Sequence, residues 1–193
     1  MWLAIIYALI WLIGFLPYYI LKNFKPKNYK FKKNGKIFTY FSPQDKRWKD
    51  INYGVSTIGG TGCGLGVLSM IESIKNPETN PQKVRDWIVN KYPDIKGGTP
   101  PDVMQDYLKY IGFEYNMLNK SCDIKSELKN NNIICVLYRT DKWNSHYVIL
   151  YDIKFGRAQI ADPANFLRII TGVNLNTLLL KVEDEFPYIS VKI

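Results

Sequence analysis

Residues 44–70 read Q-D-K-R-W-K-D-I-N-Y-G-V-S-T-I-G-G-T-G-C-G-L-G-V-L-S-M, and this stretch organises the rest of the chain. A glycine-rich loop ends at Cys63, and apolar residues then recur at the spacing of a buried helix, at Val67, Leu68, Met70, Ile71 and Ile74. A thiol in the first turn of a helix faces unpaired backbone N–H groups and the positive end of the helix dipole. Both favour the thiolate, the nucleophilic form of cysteine. Gly62 and Gly64 add no side chain that would cover the sulfur.

The only histidine of the chain, His146, opens a strand pattern, H-Y-V-I-L-Y-D, directly after a polar loop. Taken alone, a cysteine is often a small buried hydrophobe, and a single histidine is often a surface or core residue. A cysteine at a helix start and a histidine at a strand start are more informative together. Residues distant in sequence that meet in space are the usual form of a thiol-nucleophile site, so Cys63 and His146 become candidate catalytic residues.

Asp162 is the candidate that orients His146. The turn Phe155-Gly156-Arg157 predicts an antiparallel hairpin of residues 146–154 with residues 157–161, and Asp162 ends the second strand. A carboxylate there would hold the imidazole in the useful tautomer and stabilise the imidazolium. Asn165 is a weaker candidate for this role. Asp152 is a rival, but it lies on the strand of His146 and roughly 20 Å along it.

The order of elements predicts an α+β domain with an N-terminal helical part packed on an antiparallel sheet in two layers. After the helix at Cys63, proline and asparagine signals predict a helix from Asn80-Pro81 to about Tyr92, and another from Thr99-Pro100 to before Gly112. A short helix is expected over residues 123–129. Strand patterns cover residues 37–41, 113–118, 133–138, 146–154, 157–161, 166–171 and 188–193, while residues 175–182 are ambiguous.

Residues 1–21 carry no charged side chain, and at about 1.5 Å per residue such a helix would span a bilayer core. We therefore expect a transmembrane anchor at residues 1–22 and a basic linker at 23–36. A cleaved signal peptide is the rival interpretation, but the segment has no basic start and no clear cleavage site. A buried core helix is the other, although few soluble helices are apolar all round over this length.

The basic charge of the chain is local. Six lysines among the first 33 residues supply six of the nine net positive charges, and no acid accompanies them. This placement favours lipid headgroups over nucleic acid as a partner. By the positive-inside rule it favours a single-pass membrane protein whose C-terminal domain is cytoplasmic, and the unpaired thiols agree with a reducing compartment.

Several other classes of site are disfavoured. Three scattered cysteines do not make a disulfide framework, although Cys122 and Cys135 could pair. With one histidine and no C-x-x-C, a structural metal site is not expected. The glycine cluster at 59–66 fits neither the P-loop nor the dinucleotide motif, so no cofactor is expected.

The chain resembles the papain-like cysteine peptidase superfamily, and more specifically the C39-like family, related to the double-glycine leader peptidases of bacteriocin exporters. The resemblance covers about residues 37–165. It rests on the order and spacing of F-S-P-Q-D-K-R-W at 41–48, Y-G at 53–54, G-C-G at 62–64, H-Y-V at 146–148 and D-P at 162–163.

The resemblance implies a papain-like fold, a peptidase domain over residues 37–193 and a stand-alone thiol peptidase, since no exporter domain follows. It assigns Cys63 as nucleophile, His146 as base, Asp162 as orienting residue and Gln44 as oxyanion donor. Peptide or protein substrates would be cut through an acyl-enzyme. Two alternatives stay open: an amidase or transpeptidase on the same scaffold, and a catalytically silent module that binds peptides.

Overall fold

The computed structural model describes residues 29–140, 144–164, 172–182 and 188–193. The apolar segment 1–21 expected to anchor the chain lies outside these ranges, as do Asn165 and the strand candidate at 166–171. Among the helices of the described ranges, none is long and apolar enough to cross a membrane.

Ten strands and six helices are assigned within the described residues. The strands are β1 (Lys30–Lys33), β2 (Lys36–Thr39), β3 (Asn52–Tyr53), β4 (Ser56–Thr57), β5 (Tyr115–Leu118), β6 (Asn132–Arg139), β7 (Ser145–Lys154), β8 (Arg157–Ala161), β9 (Val173–Asn174) and β10 (Tyr188–Lys192). The helices are α1 (Ile58–Thr61), α2 (Cys63–Glu72), α3 (Pro81–Lys91), α4 (Pro101–Tyr110), α5 (Ile124–Lys129) and α6 (Leu175–Leu179).

A six-stranded sheet forms the centre of the molecule, in the order β5-β10-β6-β7-β8-β9, and every neighbouring pair is antiparallel. The predicted hairpin of β7 and β8 is present, closed by the pair Lys154 and Arg157 at its tip. Because β8 runs back along β7, its C-terminal end lies at the end of the sheet where β7 begins. This places Asp162 close to His146.

Apolar side chains point alternately to the two faces of the sheet, as the two-residue period of a strand requires. On β6, Ile133 and Cys135 belong to the core under α2–α4, while Ile134 and Val136 belong to a second core under α5 and α6. The domain is α+β as predicted, but the expectation of two layers is wrong. Both faces of the central strands are apolar, so both need a cover, and the short helices α5 and α6 provide the second one.

The start of α2 at Cys63 and the start of α3 at Pro81 agree with the sequence prediction. Asn80 caps α3 by accepting hydrogen bonds from the N–H groups of Gln82 and Lys83. The fourth helix begins one residue later than predicted, and the ambiguous residues 175–182 contain the helix α6.

The expected linker at 23–36 is shorter in the structure, because Lys30–Lys33 forms β1 and pairs with β2 through a turn at Asn34-Gly35. The segment K-F-K-K has one apolar residue, too few to reveal a strand. That residue, Phe31, is buried and stacks on Phe38 with ring centroids 4.8 Å apart, and it also contacts Tyr151 of β7. The β1–β2 hairpin is thereby part of the folded domain.

Candidate active site

Cys63 is the first residue of α2, and its side chain is partly exposed at the floor of a cleft. The N-cap residue, Gly62, provides no side-chain hydrogen bond to the first turn. The next residue must be glycine for a steric reason: a Cβ on Gly64 would lie 2.5 Å from Cβ of the buried Thr99. Close packing of the first turn against the loop before α4 therefore fixes the direction in which the thiol points.

His146 lies at the start of β7, and its ring contacts three side chains. Its Nε2 is 2.7 Å from Oδ1 of Asp162, which leaves Nδ1 for the hydrogen bond that the ring makes with the thiol of Cys63. Tyr138 of the neighbouring strand packs edge-on against the imidazole, with ring centroids 5.7 Å apart. The ring is therefore held in one plane between a sulfur and a carboxylate.

Asp162 is fully buried, and both its side chain and its backbone carbonyl accept hydrogen bonds. Its Oδ1 also accepts a hydrogen bond of 2.8 Å from the backbone N–H of Ala164. The hydroxyl of Tyr40 donates to the carbonyl oxygens of Asp162 and Pro163, at 3.0 Å in each case. Because Tyr40 follows β2 in the N-terminal hairpin, that hairpin helps to position the carboxylate.

The electrostatics of the site favour a thiolate paired with an imidazolium. Burial opposes ionisation of Cys63, but the hydrogen bond and charge of His146, with the backbone N–H groups of Tyr147 and Gly64, bring the pKa of the thiol below its ordinary value. Burial likewise opposes a charge on His146. The hydrogen bonds and charges of Asp162 and Cys63 outweigh it and raise the pKa of the imidazole to about 9. Both shifts favour the charged form, thiolate for Cys63 and imidazolium for His146.

Gln44 lies at the rim of the same cleft. The buried side chain of Trp48 stabilises the loop that carries Gln44. Its indole N–H donates a hydrogen bond of 2.8 Å to the carbonyl oxygen of Ser42. The side-chain amide of Gln44 donates to the carbonyl oxygen of Gly59. One N–H of that NH₂ group is used in this bond, and the amide has two.

The cleft that joins these groups has a volume of about 540 Å³. Glycines form much of its wall, and its lining includes Gln44, Cys63 and His146 together with Gly59, Gly60, Gly62, Gly97 and Gly98. Walls without side chains leave backbone N–H and C=O groups accessible and let an extended chain approach closely. Asp162 does not line the cleft; it lies behind His146.

Of the sequence candidates, Cys63 and Asp162 both interact with His146, and Gln44 lines the same cleft as Cys63 and His146. Asp152, the rival carboxylate, lies at the far end of β7 and pairs with Lys154 at 3.4 Å. Tyr40 was missed by the sequence analysis. The sequence offers one weak signal, the alternation of Phe38 and Tyr40 in a short strand pattern, which predicts that both side chains are buried. Nothing local indicates that Tyr40 reaches residue 162.

The other two cysteines are unlike Cys63, and all three are free thiols. Burial raises the pKa of Cys135 to about 12. Burial, with the charges of Glu127 and Asp123, raises the pKa of Cys122. The pairing of Cys122 with Cys135 considered above is not present in the structure.

Comparison with known proteins finds a matching family model and similar solved structures. The family model described as the Peptidase C39 family matches residues 55–178. The chain is also similar to the crystal structure of the peptidase domain of Streptococcus ComA, a bi-functional ABC transporter involved in a quorum-sensing pathway. The TM-score is 0.52 at 18% identity, over 72% of this chain and 96% of that chain, which indicates a shared fold. No curated protein matches the sequence.

We expect iodoacetamide to alkylate Cys63 more than roughly tenfold faster than Cys122 or Cys135 at pH 6, because an ordinary thiol is almost fully protonated there. As the pH falls from 8 to 6, the rate at an ordinary thiol drops about tenfold per unit, whereas the rate at Cys63 should fall less steeply because its pKa is lowered. Mass spectrometry of the alkylated peptides measures the three rates separately.

The control is His146→Ala, which removes the main group that favours the thiolate. In that variant the rate at Cys63 should regain a steep pH dependence. Equal labelling of the three cysteines, or a Cys63 profile that His146→Ala leaves unchanged, would contradict the ion pair.

Proposed function

This chain belongs to the Peptidase C39 family and is a cysteine peptidase, and from that premise we propose that it hydrolyses peptide bonds through Cys63, His146 and Asp162, with an acyl-enzyme intermediate. The observation that carries the proposal is the continuous hydrogen bonding from thiol to imidazole to buried carboxylate at the floor of an open cleft. The family has peptides or proteins as substrates.

In the first half of the proposed reaction, the Cys63 thiolate attacks the carbonyl carbon of the scissile bond. The negative charge moves to the carbonyl oxygen, where an N–H of the Gln44 amide and the backbone N–H of Cys63 can stabilise it. The tetrahedral intermediate collapses, the C–N bond breaks, and the imidazolium of His146 gives its proton to the leaving amine. A thioester on Cys63 and a neutral imidazole remain.

In the second half, His146 takes a proton from a water molecule that enters where the amine left. The resulting hydroxide attacks the thioester carbon, and the same donors stabilise the second oxyanion. The C–S bond then breaks, releasing the carboxylic acid product and restoring the thiolate beside the imidazolium. Asp162 keeps its charge throughout and stabilises the imidazolium at the start and end of each cycle.

A peptide library treated with the full chain tests this function directly, with new amino termini read by mass spectrometry. We expect cleavage that disappears in Cys63→Ala. On the peptide cut best, Gln44→Ala should lower kcat by about 10²–10³ with little change in KM, because the lost donor acts on the transition state.

Lys46→Ala is the matched control for Gln44, since Lys46 is an exposed residue of the same loop outside the cleft lining. It should leave kcat unchanged. Cleavage retained by Cys63→Ala would exclude Cys63 as the nucleophile. A fall in kcat shared equally by Gln44→Ala and Lys46→Ala would indicate a disturbed loop instead of a lost oxyanion donor.

The pH dependence of kcat/KM provides a second test. Activity should fall at low pH as the Cys63 thiolate gains a proton, and at high pH as His146 loses its proton near pH 9. Asp162→Asn removes a charge that favours the imidazolium, so the basic limb should move to lower pH. A basic limb that stays in place in this variant would contradict the role of Asp162.

We also propose that residues 1–22 anchor the enzyme in a membrane and that the peptidase domain faces the cytoplasm. The supports are the charge-free segment 1–21 and the six lysines that follow it. The first strand of the described residues begins at Lys30, so the proposed linker between anchor and domain comprises residues 23–29.

Protease treatment of spheroplasts tests this orientation. The domain should resist digestion in intact spheroplasts and be degraded after lysis, as a cytoplasmic marker protein is. Digestion in intact spheroplasts, with that marker protected, would place the domain outside and refute the proposed orientation.

A further inference from the structure

A second concave surface lies at the end of the sheet opposite the catalytic cleft. The tips of two hairpins, β1–β2 and β7–β8, meet the helix α5 there and enclose a groove of about 450 Å³. The lining consists of Lys33, Asn34, Lys125, Leu128, Lys129, Asp152, Ile153, Phe155 and Gly156. None of these residues takes part in the proposed reaction.

Phe155, at the tip of β7–β8, is fully exposed to solvent and has a backbone φ of 51°. With Gly156 at 73°, it forms a two-residue turn in which both residues have positive φ, the geometry of a type I′ turn. The other hairpin of the groove has the same turn, with φ of 50° and 78°, and fills it with Asn34-Gly35, the usual residues. A bulky aromatic residue with positive φ is a rare choice.

The comparison of the two turns suggests a role for Phe155 outside the folded domain. Asparagine tolerates the left-handed conformation, whereas phenylalanine gains nothing from it and exposes a large apolar ring to water. The folded domain alone therefore gives no reason for Phe155. A ring displayed in this way can gain free energy by entering an apolar phase or partner.

The surroundings of Phe155 are basic. Lys33, Lys125 and Lys129 line the groove, and Lys154 adjoins Phe155 in sequence. The acidic residue in the lining is Asp152, which forms an ion pair with Lys154. The ammonium group of Lys33 donates a hydrogen bond of 3.0 Å to the carbonyl oxygen of Leu128. An exposed aromatic ring among lysines matches the interface of an anionic bilayer, where rings enter the headgroup region and ammonium groups approach phosphates.

The N-terminal segment would bring the domain close to a lipid surface. Residues 1–28 precede the described chain, and β1 begins at Lys30, the end of that strand away from Lys33 and the groove. The choice of anionic lipid as the partner therefore rests on the exposed ring of Phe155 and the lysines around it.

We propose that the surface formed by Lys33, Lys125, Lys129, Lys154 and Phe155, the basic hairpin face, rests on an anionic lipid surface with the ring of Phe155 inserted at the headgroup boundary. The ten-residue strand β7 runs from this face to His146, a distance of roughly 30 Å. The catalytic cleft is then held about 30 Å from the bilayer. The proposal goes beyond the peptidase reaction, and the proposed anchor only brings the face close to its lipid.

Lipid photocrosslinking tests the face in the full chain. Phe155 is replaced by p-benzoylphenylalanine, and the protein is reconstituted with vesicles of phosphatidylcholine and phosphatidylglycerol. The matched control carries the same residue at position 55, because Val55 is also exposed (87%) at the tip of a turn, between β3 and β4. The backbone N–H of Val55 donates to the carbonyl oxygen of Lys96, next to Gly97 in the wall of the catalytic cleft. Lipid adducts, read by mass spectrometry, should form at position 155 and not at position 55.

Charge dependence is the second arm. Lys125→Glu combined with Lys129→Glu should lower the adduct yield at position 155 roughly tenfold or more, as should vesicles of phosphatidylcholine alone. The control pair, Lys83→Glu with Lys109→Glu, reverses two exposed lysines of the helical layer and should change nothing. Equal yields in the two double variants would overturn the electrostatic part of the proposal.

Stability measurements separate lipid contact from a structural role of Phe155. In detergent, Phe155→Asn should raise the melting temperature by about 2–4 °C, because the turn then has its preferred residue. The same variant should bind the surface of anionic vesicles more weakly. A lower melting temperature would show that the ring stabilises the fold, and it would overturn the proposal.

The experiments distinguish two outcomes, that the basic hairpin face does not contact lipid and that residues 1–22 do not anchor the chain. Protein that resists carbonate extraction but gives no adducts at position 155, or adducts at both positions equally, refutes the face and leaves the anchor in place. Adducts confined to position 155 in protein that carbonate extracts support the face and refute the anchor. Protein that does not float with anionic vesicles refutes both, and adducts formed only with an acidic protein would assign the face to a protein partner.

Discussion

The interactions of His146 with Cys63 on one side and Asp162 on the other connect the helical layer to the sheet. The architecture of the site depends on them. The carboxylate is fully buried, and a buried charge is costly unless it is paired. A charged imidazolium is the partner that satisfies it, at 2.7 Å. The imidazolium in turn favours the thiolate at the start of α2, as do the backbone N–H groups of Tyr147 and Gly64.

The surrounding contacts keep these groups aligned. Tyr40 fixes the backbone after β8, Trp48 fixes the loop that carries Gln44, and Thr99 packs directly on the helix turn that follows Cys63. Each contact comes from a different segment of the chain. The hairpin of β1 and β2, whose first strand looked like a linker in the sequence, is one of these supports because it brings Tyr40 to Asp162. Residues from several parts of the domain position the catalytic groups, whereas few residues take part in the chemistry itself.

Local patterns predicted the parts of this structure that local physics determines. A helix start at Cys63, the cap at Asn80 and the hairpin that brings Asp162 to His146 all follow from short segments. The contact of Tyr40 with residues 162 and 163 could not be predicted, because it joins positions more than a hundred residues apart. The strand K-F-K-K was missed because its single apolar residue gives no periodicity, and the second helical layer was missed because its helices are short. The segment 1–22 stays a prediction.

The strand β7 has a different environment at each end, with the imidazole beside the Cys63 thiol at one end and an exposed aromatic ring among lysines at the other. At the first end, His146 is the sole histidine of the chain. NMR of the full chain labelled with ¹³C-histidine would therefore give one imidazole signal to follow against pH. We expect a titration midpoint near 9, which falls when Cys63 is replaced by alanine. A midpoint near the ordinary histidine value, about 6.5, unchanged by that replacement, would contradict this expectation.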